Sequence, residues 1–333
     1  MNKLVTIVIP AYNEEKSLPS LLERLENLVE VSRDYNFEFL FIDDGSKDKT
    51  LSILQHASEI DPHLSYLSFS RNFGKEIAVA AGIDHADGDA VVIMDADGQE
   101  PPEMIPAMIK WWEKGYDDVY ARRSSRHHSS FFRSLTSKLY YRTLQKMSRV
   151  PIQIDTGDFR LFSRRCILAL RQFRESARQN KALFSWIGYR KKELSFEQGE
   201  RGGGKTKWKL GVLSPGNSLI NLAIDGFTSF TTIPLRLVTL FGLLISASAA
   251  IYIVVVLIQA FMGLPRLGGY NTMLIIILFL GGVQMVSLGI IGEYVGRIFS
   301  ETKNRPLYLI EEIHKAKVAS SGKKDDPEKL DQQ

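Results

Sequence analysis

Short β-branched runs alternate with helical patterns through the first hundred residues of the chain. Residues 4–9 (Leu-Val-Thr-Ile-Val-Ile) form one such run, closed by Pro10, and residues 14–31 carry apolar side chains at helical spacing. A strand followed by a helix is predicted. The pair recurs: a run at 37–42 precedes a helical pattern at 49–60, a run at 64–69 precedes another at 75–86, and a further run occupies 90–94. This alternation predicts an α/β fold with a mostly parallel sheet, helices on both faces and right-handed connections. Ligands of such sheets bind beyond the carboxyl ends of the strands. Chemistry-bearing residues follow the runs directly, as Pro10-Ala11-Tyr12-Asn13-Glu14, Asp43-Asp44-Gly45-Ser46 and Asp95-Ala96-Asp97-Gly98-Gln99.

The pattern changes after residue 236. Residues 237–262 and 267–292 are each 26 residues without Asp, Glu, Lys or Arg, more than the roughly 20 needed to cross a hydrocarbon core as a helix. The Gly- and Pro-containing residues 263–270 between them predict a tight hairpin, with spans at about 237–262 and 270–292. Arg236, Lys205, Lys207 and Lys209 before the hairpin and Arg297, Lys303 and Arg305 after it outnumber Arg266 in the turn. That places both ends on the cytoplasmic side of the plasma or inner membrane. A buried hairpin of a soluble protein would need polar faces on those helices. Residues 213–232 mix Leu219, Ile220, Leu222, Phe227 and Phe230 with Asn217, Asn221 and Asp225, which suits an interfacial helix or an amphipathic helix packed on the domain. Gly281, Gly282, Gly289, Gly292 and Gly296 offer close helix contact, as in a homo-oligomer. The expected organisation is a cytoplasmic domain at 1–210, an interfacial segment at 211–236, the two-helix hairpin at 237–296 and a solvated cytoplasmic tail at 297–333.

Composition narrows the picture. With 44% hydrophobic and 24% charged residues in 333, neither a disordered nor a collagen-like chain fits. The single Cys166 excludes an intrachain disulfide, and the chain opens on a strand pattern rather than a secretory leader, so the soluble part reads as cytoplasmic. Net charge is only +4, yet residues 119–154 carry eight Lys or Arg and no acid, and residues 159–192 carry ten against Glu175 alone. Such a stripe suits a polyanion: nucleic acid, an anionic leaflet or a phosphorylated substrate. The hairpin favours the last two, and no nucleic-acid partner is expected.

The acids gather instead at the strand ends. Asp95 and Asp97, separated by one residue, supply the hard oxygens that suit Mg²⁺ or Mn²⁺ held with a diphosphate; strand-end carboxylates also cap helices and make turns. No glycine-rich loop follows the first strand, which argues against a dinucleotide-binding domain. Residues 199–206 match the P-loop pattern literally, but Gly211 and Pro215 interrupt the long helix that a P-loop must open, leaving a phosphate clamp rather than a nucleotide triphosphatase.

Taken in order, Val8-Ile9-Pro10-Ala11-Tyr12-Asn13-Glu14, Ile42-Asp43-Asp44-Gly45-Ser46 and Met94-Asp95-Ala96-Asp97-Gly98-Gln99-Glu100-Pro101-Pro102 resemble the motifs of the inverting family 2 glycosyltransferases. Arg71-Asn72-Phe73-Gly74-Lys75, Gly157-Asp158-Phe159-Arg160 and Glu200-Arg201-Gly202-Gly203-Gly204-Lys205-Thr206-Lys207 narrow the resemblance to the polyprenyl-phosphate sugar transferases. That group contains dolichol-phosphate mannose synthases, aminoarabinose transferases and bactoprenol glucosyltransferases, and the hairpin is most similar to the last two. The resemblance extends to about Pro306 and implies a Rossmann-like GT-A domain. Carried over position by position, it implies that Pro10, Ala11, Tyr12, Glu14 and Asp44 hold the nucleoside and that Asp95 and Ala96 contact the nucleotide. Asp97 and Gln99 would bind the divalent cation, Mg²⁺ or Mn²⁺. Arg123 and Arg133 would bind phosphate, and Arg201 and Lys207 would clamp it. Many relatives carry Leu in place of Gly98, and some mannose-transferring ones carry Ser in place of Asp158.

The implied reaction moves a hexose, first of all glucose, from UDP-glucose to undecaprenyl or another polyprenyl phosphate at the cytoplasmic membrane face, with a flippase taking the product. A lipid phosphate is already largely ionised near neutrality, its second pKa being about 6, so a strong base is unnecessary. Asp158 is then expected as a positioning group or weak base, its alternative being a salt bridge to Arg160. Asp97 is expected to act through the cation, while Arg123, Arg133, Arg201 and Lys207 align the acceptor phosphate. GDP-mannose, UDP-aminoarabinose or a UDP-N-acetylhexosamine as donor would leave this chemistry unchanged. Two spans are too few for a processive polysaccharide synthase. A non-enzymatic membrane-anchored anion-binding module would explain the basic stripe but not the acidic edge.

Overall fold

Strand β1 (Lys3–Ala11) is buried on both faces because its alternate side chains enter two different cores. Val5, Ile7 and Ile9 pack with Phe37, Phe39 and Phe41 on one side, and Val8 packs with Leu40 and Ile42 on the other. A computed structural model describes residues 2–123, 156–176, 178–196, 233–262 and 269–316 of the chain. In it, β1 is followed by α1 (Leu18–Val31), β2 (Tyr35–Asp43), α2 (Thr50–Ile60), β3 (Leu64–Phe69), α3 (Lys75–His85) and β4 (Ala90–Ile93). Next come a 3-10 turn (Pro102–Met104), α4 (Ile105–Glu113), β5 (Asp118–Arg123), β6 (Thr156–Ser163), α5 (Arg164–Leu170), α6 (Asn180–Trp186) and β7 (Lys191–Phe196). The long helices α7 (Ile233–Phe261) and α8 (Tyr270–Thr302) precede a last strand, β8 (Ile310–His314).

The eight strands form one mixed sheet in the order β7-β5-β6-β4-β1-β2-β3-β8. Its centre, β4-β1-β2-β3, is parallel, as the alternation predicts. The chain lays β2 and β3 to one side of β1 and β4 to the other, so the strand order reverses between β1 and β4. That reversal opens a crevice at the carboxyl ends of these two strands. Strand β6 then runs antiparallel between β4 and β5, and its register sets Ile93 opposite Arg160. The antiparallel turn of β6 brings Asp158, early in that strand, to the end of β4 where Asp95 follows.

Helix α1 starts at Leu18 rather than near Glu14, where the apolar spacing begins. Pro19 accounts for this, since proline lacks the amide that a helix interior needs and fits the first turn. The helix buries Leu18, Leu21, Leu25 and Leu28 along one stripe, each contributing about 2 kcal/mol by removal from water. Residues 14–17 form a turn instead, which leaves Glu14 in the loop after β1.

The other departure lies at the carboxyl end. Residues 310–314, read from sequence as part of a solvated tail, form β8, antiparallel to β3 at the sheet edge. Tyr308 stacks on Phe69 at 5.2 Å between ring centroids and donates a hydrogen bond to Asp84, while Tyr66 donates to Glu312. The charge-rich composition of this region concealed a strand whose partners lie about 250 residues upstream.

Two compact units divide the chain, the first holding the sheet and its helices, the second holding α7 and α8. Phe241, Leu243, Leu244 and Val254 of α7 and Ile277, Phe279, Met285 and Leu288 of α8 are exposed, an apolar surface that water-soluble proteins seldom present. Among the described residues, Phe279–Thr302 is long and apolar enough to cross a membrane, and Leu240–Ala249 makes a shorter apolar stretch in α7. Of the interfacial segment expected at 211–236, residues 211–232 lie outside the described residues, and residues 233–236 open α7 instead.

Candidate active site

Three loops leave the carboxyl ends of β1, β2 and β4 and carry the residues singled out by sequence. In the first, Asn13 takes a left-handed conformation at φ 55°, which an Asn side chain tolerates. Its amide donates to Ser46 Oγ at 3.0 Å, and its own Oδ1 accepts the Lys47 amide at 2.8 Å, so the loops after β1 and β2 brace each other. The Glu14 amide donates to Thr50 Oγ1 and its carboxylate accepts from Ser17 Oγ, both at 2.8 Å. Pro10 and Ala11 end β1 itself and are buried.

Asp44 sits beside them, with the Ala11 carbonyl accepting its amide at 2.9 Å. Its buried carboxylate accepts the Phe73 amide at 2.6 Å, the Gly74 amide at 3.0 Å and Asn72 Nδ2 at 3.0 Å. Burial raises its pKa, and the Phe73 and Gly74 amides only partly offset this. Asp44, expected to hold a nucleoside, is thus engaged by the loop that follows β3. Gly45 lets the two loops touch: it adopts φ +63°, and a Cβ there would lie 2.5 Å from the Arg71 carbonyl carbon.

That loop delivers Lys75, the first residue of α3, to the crevice. Its Nζ lies 2.8 Å from Asp95 Oδ2 as a hydrogen bond, 2.6 Å from Asp95 Oδ1 as an ion-pair contact, and 2.7 Å from Asp158 Oδ2. One ammonium therefore bridges the loop after β4 and the start of β6. Although 45% of the Lys75 side-chain surface stays open, burial still works against its charge. Asp95 and Asp158 outweigh that and hold its proton more tightly than in an ordinary lysine. Burial alone would raise Asp158; Lys75 above all, then Lys181 and Arg160, bring it below the usual aspartate value. Asp158 therefore pairs with Lys75, and the Arg160 guanidinium pairs with buried Asp118 at 3.3 Å instead.

Below this pair lies Glu100, buried, whose Oε2 accepts the Asp95 amide at 2.7 Å. Burial, and next the nearby Asp95, push Glu100 well above the usual glutamate pKa. That shift disfavours a further negative charge beside Asp95 and Asp158. Glu76, next to Lys75, accepts the Asn180 amide at 2.7 Å and anchors the start of α6, which brings Lys181 near Asp158.

The loop from Asp95 to Gln99 closes on itself, with Asp97 Oδ1 accepting the Gln99 amide at 3.1 Å across Gly98 at φ +75°. Ala96 is buried. Among the described residues no group of three or more His, Cys, Asp or Glu side chains converges as a self-sufficient metal cage. Two oxygen-bearing side chains separated by one residue, Asp97 and Gln99, suit instead a hard cation that draws its remaining ligands from a diphosphate and water. The donor set fits a divalent ion of that kind. Tyr12 follows β1 directly.

Of the expected phosphate-binding residues, Arg133, Arg201 and Lys207 lie outside the described residues, as do residues 199–206, and Arg123 is described only as the last residue of β5. Sequence reading gave no role to Lys75, Glu100 or Asn180. The signal for Lys75 was its position: Arg71-Asn72-Phe73-Gly74-Lys75 follows β3 just as the other motifs follow their strands.

Residues 6–170 match the family described as "Glycosyl transferase family 2", and residues 233–298 match the "GtrB C-terminal hairpin". The chain is 38% identical over 309 residues to the "Uncharacterized glycosyltransferase YkcC" of Bacillus subtilis, covering 93% of this chain and 94% of that protein. It is 39% identical over 311 residues to the "Bactoprenol glucosyl transferase" of Shigella phage SfII, covering 93% and 98%. Among solved structures, the mannosyltransferase PcManGT of Pyrobaculum calidifontis, in complex with GDP-Man and Mn²⁺, is 22% identical over 59% of this chain and 55% of that one. Its TM-score of 0.43 is too low to carry a ligand assignment.

Proposed function

Since the chain belongs to the family 2 glycosyltransferases, we propose that it transfers glucose from UDP-glucose to undecaprenyl phosphate or a similar polyprenyl phosphate, with inversion at the anomeric carbon. The observation that carries this reading is the bridge Asp95–Lys75–Asp158: residues of two strand ends, one expected to face the donor and one the acceptor, meet through one ammonium. The phage relative, named for glucosyl transfer involving bactoprenol and covered over 98% of its length, supports the choice of sugar and lipid.

In this reading the nucleoside rests on the loops after β1 and β2, against Pro10, Ala11, Tyr12 and Glu14, with Asp44 holding the floor beneath it. Asp95 and Ala96 adjoin the nucleotide, and Asp97 and Gln99 hold Mg²⁺ or Mn²⁺. When bound, the cation neutralises the departing diphosphate. The acceptor phosphate, itself the nucleophile, attacks the face of the sugar opposite that leaving group. Arg123, Arg133, Arg201 and Lys207 offset the charge brought by two anions. Asp158, kept ionised by Lys75, orients the acceptor phosphate and takes the proton of any singly ionised fraction.

The helices α7 and α8, of 29 and 33 residues, extend about 43 and 50 Å, enough for each to cross a hydrocarbon core of about 30 Å. Both chain ends and the catalytic domain then lie on the cytoplasmic side. That arrangement meets the lipid phosphate at the bilayer surface and leaves transport of the product to a flippase; the small-residue positions of α8 serve self-association.

The test is transfer of radiolabel from a panel of UDP- and GDP-sugars to undecaprenyl phosphate in detergent, with and without divalent cation. Metal-dependent label in the lipid phase from UDP-glucose is the expected result. Label from another donor replaces the sugar, and no label from any donor with folded protein overturns the reading.

A further inference from the structure

We propose that Lys75 is a positioning residue for transfer: its ammonium fixes Asp158 against Asp95, so that one carboxylate oxygen of Asp158 is presented to the acceptor phosphate at a set distance from the donor. This rests on the transferase reading above and adds a residue to it. Three observations carry it. The Lys75 ammonium contacts both carboxylates, at 2.6 and 2.8 Å to Asp95 and 2.7 Å to Asp158, and so joins two separate loops. Asp158 engages Lys75 through Oδ2 only, while its buried Oδ1 has no hydrogen-bond partner among the described residues. A buried polar atom left this way calls for a ligand or a functional explanation. Lys181, at the start of α6, adds a second cation near Asp158, a setting that admits an anionic phosphate beside the carboxylate.

Lys75 is itself rigidly placed. It opens α3 directly after Gly74, whose amide Asp44 accepts, and the next residue, Glu76, is pinned by the Asn180 amide at 2.7 Å. The backbone that carries Lys75 is therefore fixed, and its ammonium is held by the two carboxylates it bridges. A singly protonated phosphate can donate its remaining proton to Oδ1. As the other phosphate oxygen bonds to the anomeric carbon and the bond to the diphosphate breaks, that proton passes to Asp158. A doubly ionised phosphate instead needs Asp158 only as a fixed wall, with the flanking cations turning it toward the sugar.

The experiment is a double-mutant cycle in the full-length protein, using Lys75→Met and Asp158→Asn singly and together, assayed with labelled UDP-sugar and undecaprenyl phosphate. UDP binding in the presence of Mg²⁺ is followed by calorimetry. If Lys75 positions Asp158, Lys75→Met lowers kcat by about 100-fold, the scale of a misplaced reacting group, while the KM for the lipid and the Kd for UDP stay within about threefold. The double variant then loses no more than Asp158→Asn alone, and Lys75→Arg, which keeps the charge, recovers part of the loss. Multiplicative losses, an unchanged kcat, or a loss confined to UDP affinity overturns the role. If Lys75→Met does not fold, Lys75→Gln carries the same cycle. A wild-type protein that transfers no sugar to polyprenyl phosphate refutes the functional reading itself, which separates that failure from a failure of the positioning role.

Discussion

Replacing Asp44 with alanine should loosen the loop after β3 before it affects any ligand. The carboxylate accepts the Phe73 amide at 2.6 Å, the Gly74 amide at 3.0 Å and the Asn72 side chain at 3.0 Å. A hydrogen bond to a charged group contributes about 1.5 to 3 kcal/mol. Phe73 and Gly74 are only half-buried, so water recovers part of what Asp44→Ala removes, and the net cost is about 2 to 4 kcal/mol. Asp44→Asn should cost about 1 kcal/mol, because it keeps one acceptor oxygen and removes a charge whose burial is already unfavourable. Hydrogen exchange followed by mass spectrometry on the detergent-solubilised protein reads this directly. Local destabilisation of that size should speed exchange across residues 71–75 by roughly 30- to 900-fold in Asp44→Ala, and by less than about tenfold in Asp44→Asn. Unchanged exchange in the alanine variant, with UDP binding lost, would show that Asp44 serves only as a ligand contact and that the loop is held by other means.

Asp97→Asn should abolish metal-dependent transfer, by about 100-fold or more, while leaving the unfolding temperature near that of the wild type, and chelation of divalent cations should do the same to the wild-type enzyme. Asp158 has a lowered folded pKa, so its pairing stabilises the fold fully above the ordinary aspartate value and is lost only as pH falls through that lowered value. Transfer by the wild type should accordingly show no acidic limb from Asp158 at or above the ordinary aspartate range, whereas Lys75→Met should move that limb to higher pH, read from kcat/KM against pH. Tyr308→Ala removes the stack on Phe69 and the bond to Asp84; it should destabilise the sheet edge by about 2 to 3 kcal/mol, measured as a lowered unfolding temperature, without changing the KM for donor.

The central sheet was legible in the sequence because its strands are buried on both faces and read as continuous apolar runs, and because consecutive βα units can be assembled in only a few ways. The candidate site was legible in part for the same reason. The end of a buried parallel strand is where polar residues can first meet a ligand, which makes the motifs at Pro10, Asp43 and Asp95 conspicuous. The apolar stretches after residue 236 needed no more than a count of uncharged residues.

What each residue touches was decided only by the tertiary structure. Asp44 and Asp95 look alike in sequence, each following an apolar run, yet one is engaged by the Phe73 and Gly74 amides and the other shares an ammonium with Asp158. Local pattern records how a residue relates to its own strand or helix. It carries nothing about β6 turning antiparallel beside β4, which brings Asp158 within reach of Lys75 across 83 positions of chain. Nor does it show β8, whose short charged segment has no strand signature until β3 offers it an edge. Sequence therefore determined the framework and the kinds of side chain placed around its crevice, because burial imposes a period on the chain. Which of those side chains pair with one another followed from strand order and register, which bring distant residues within contact.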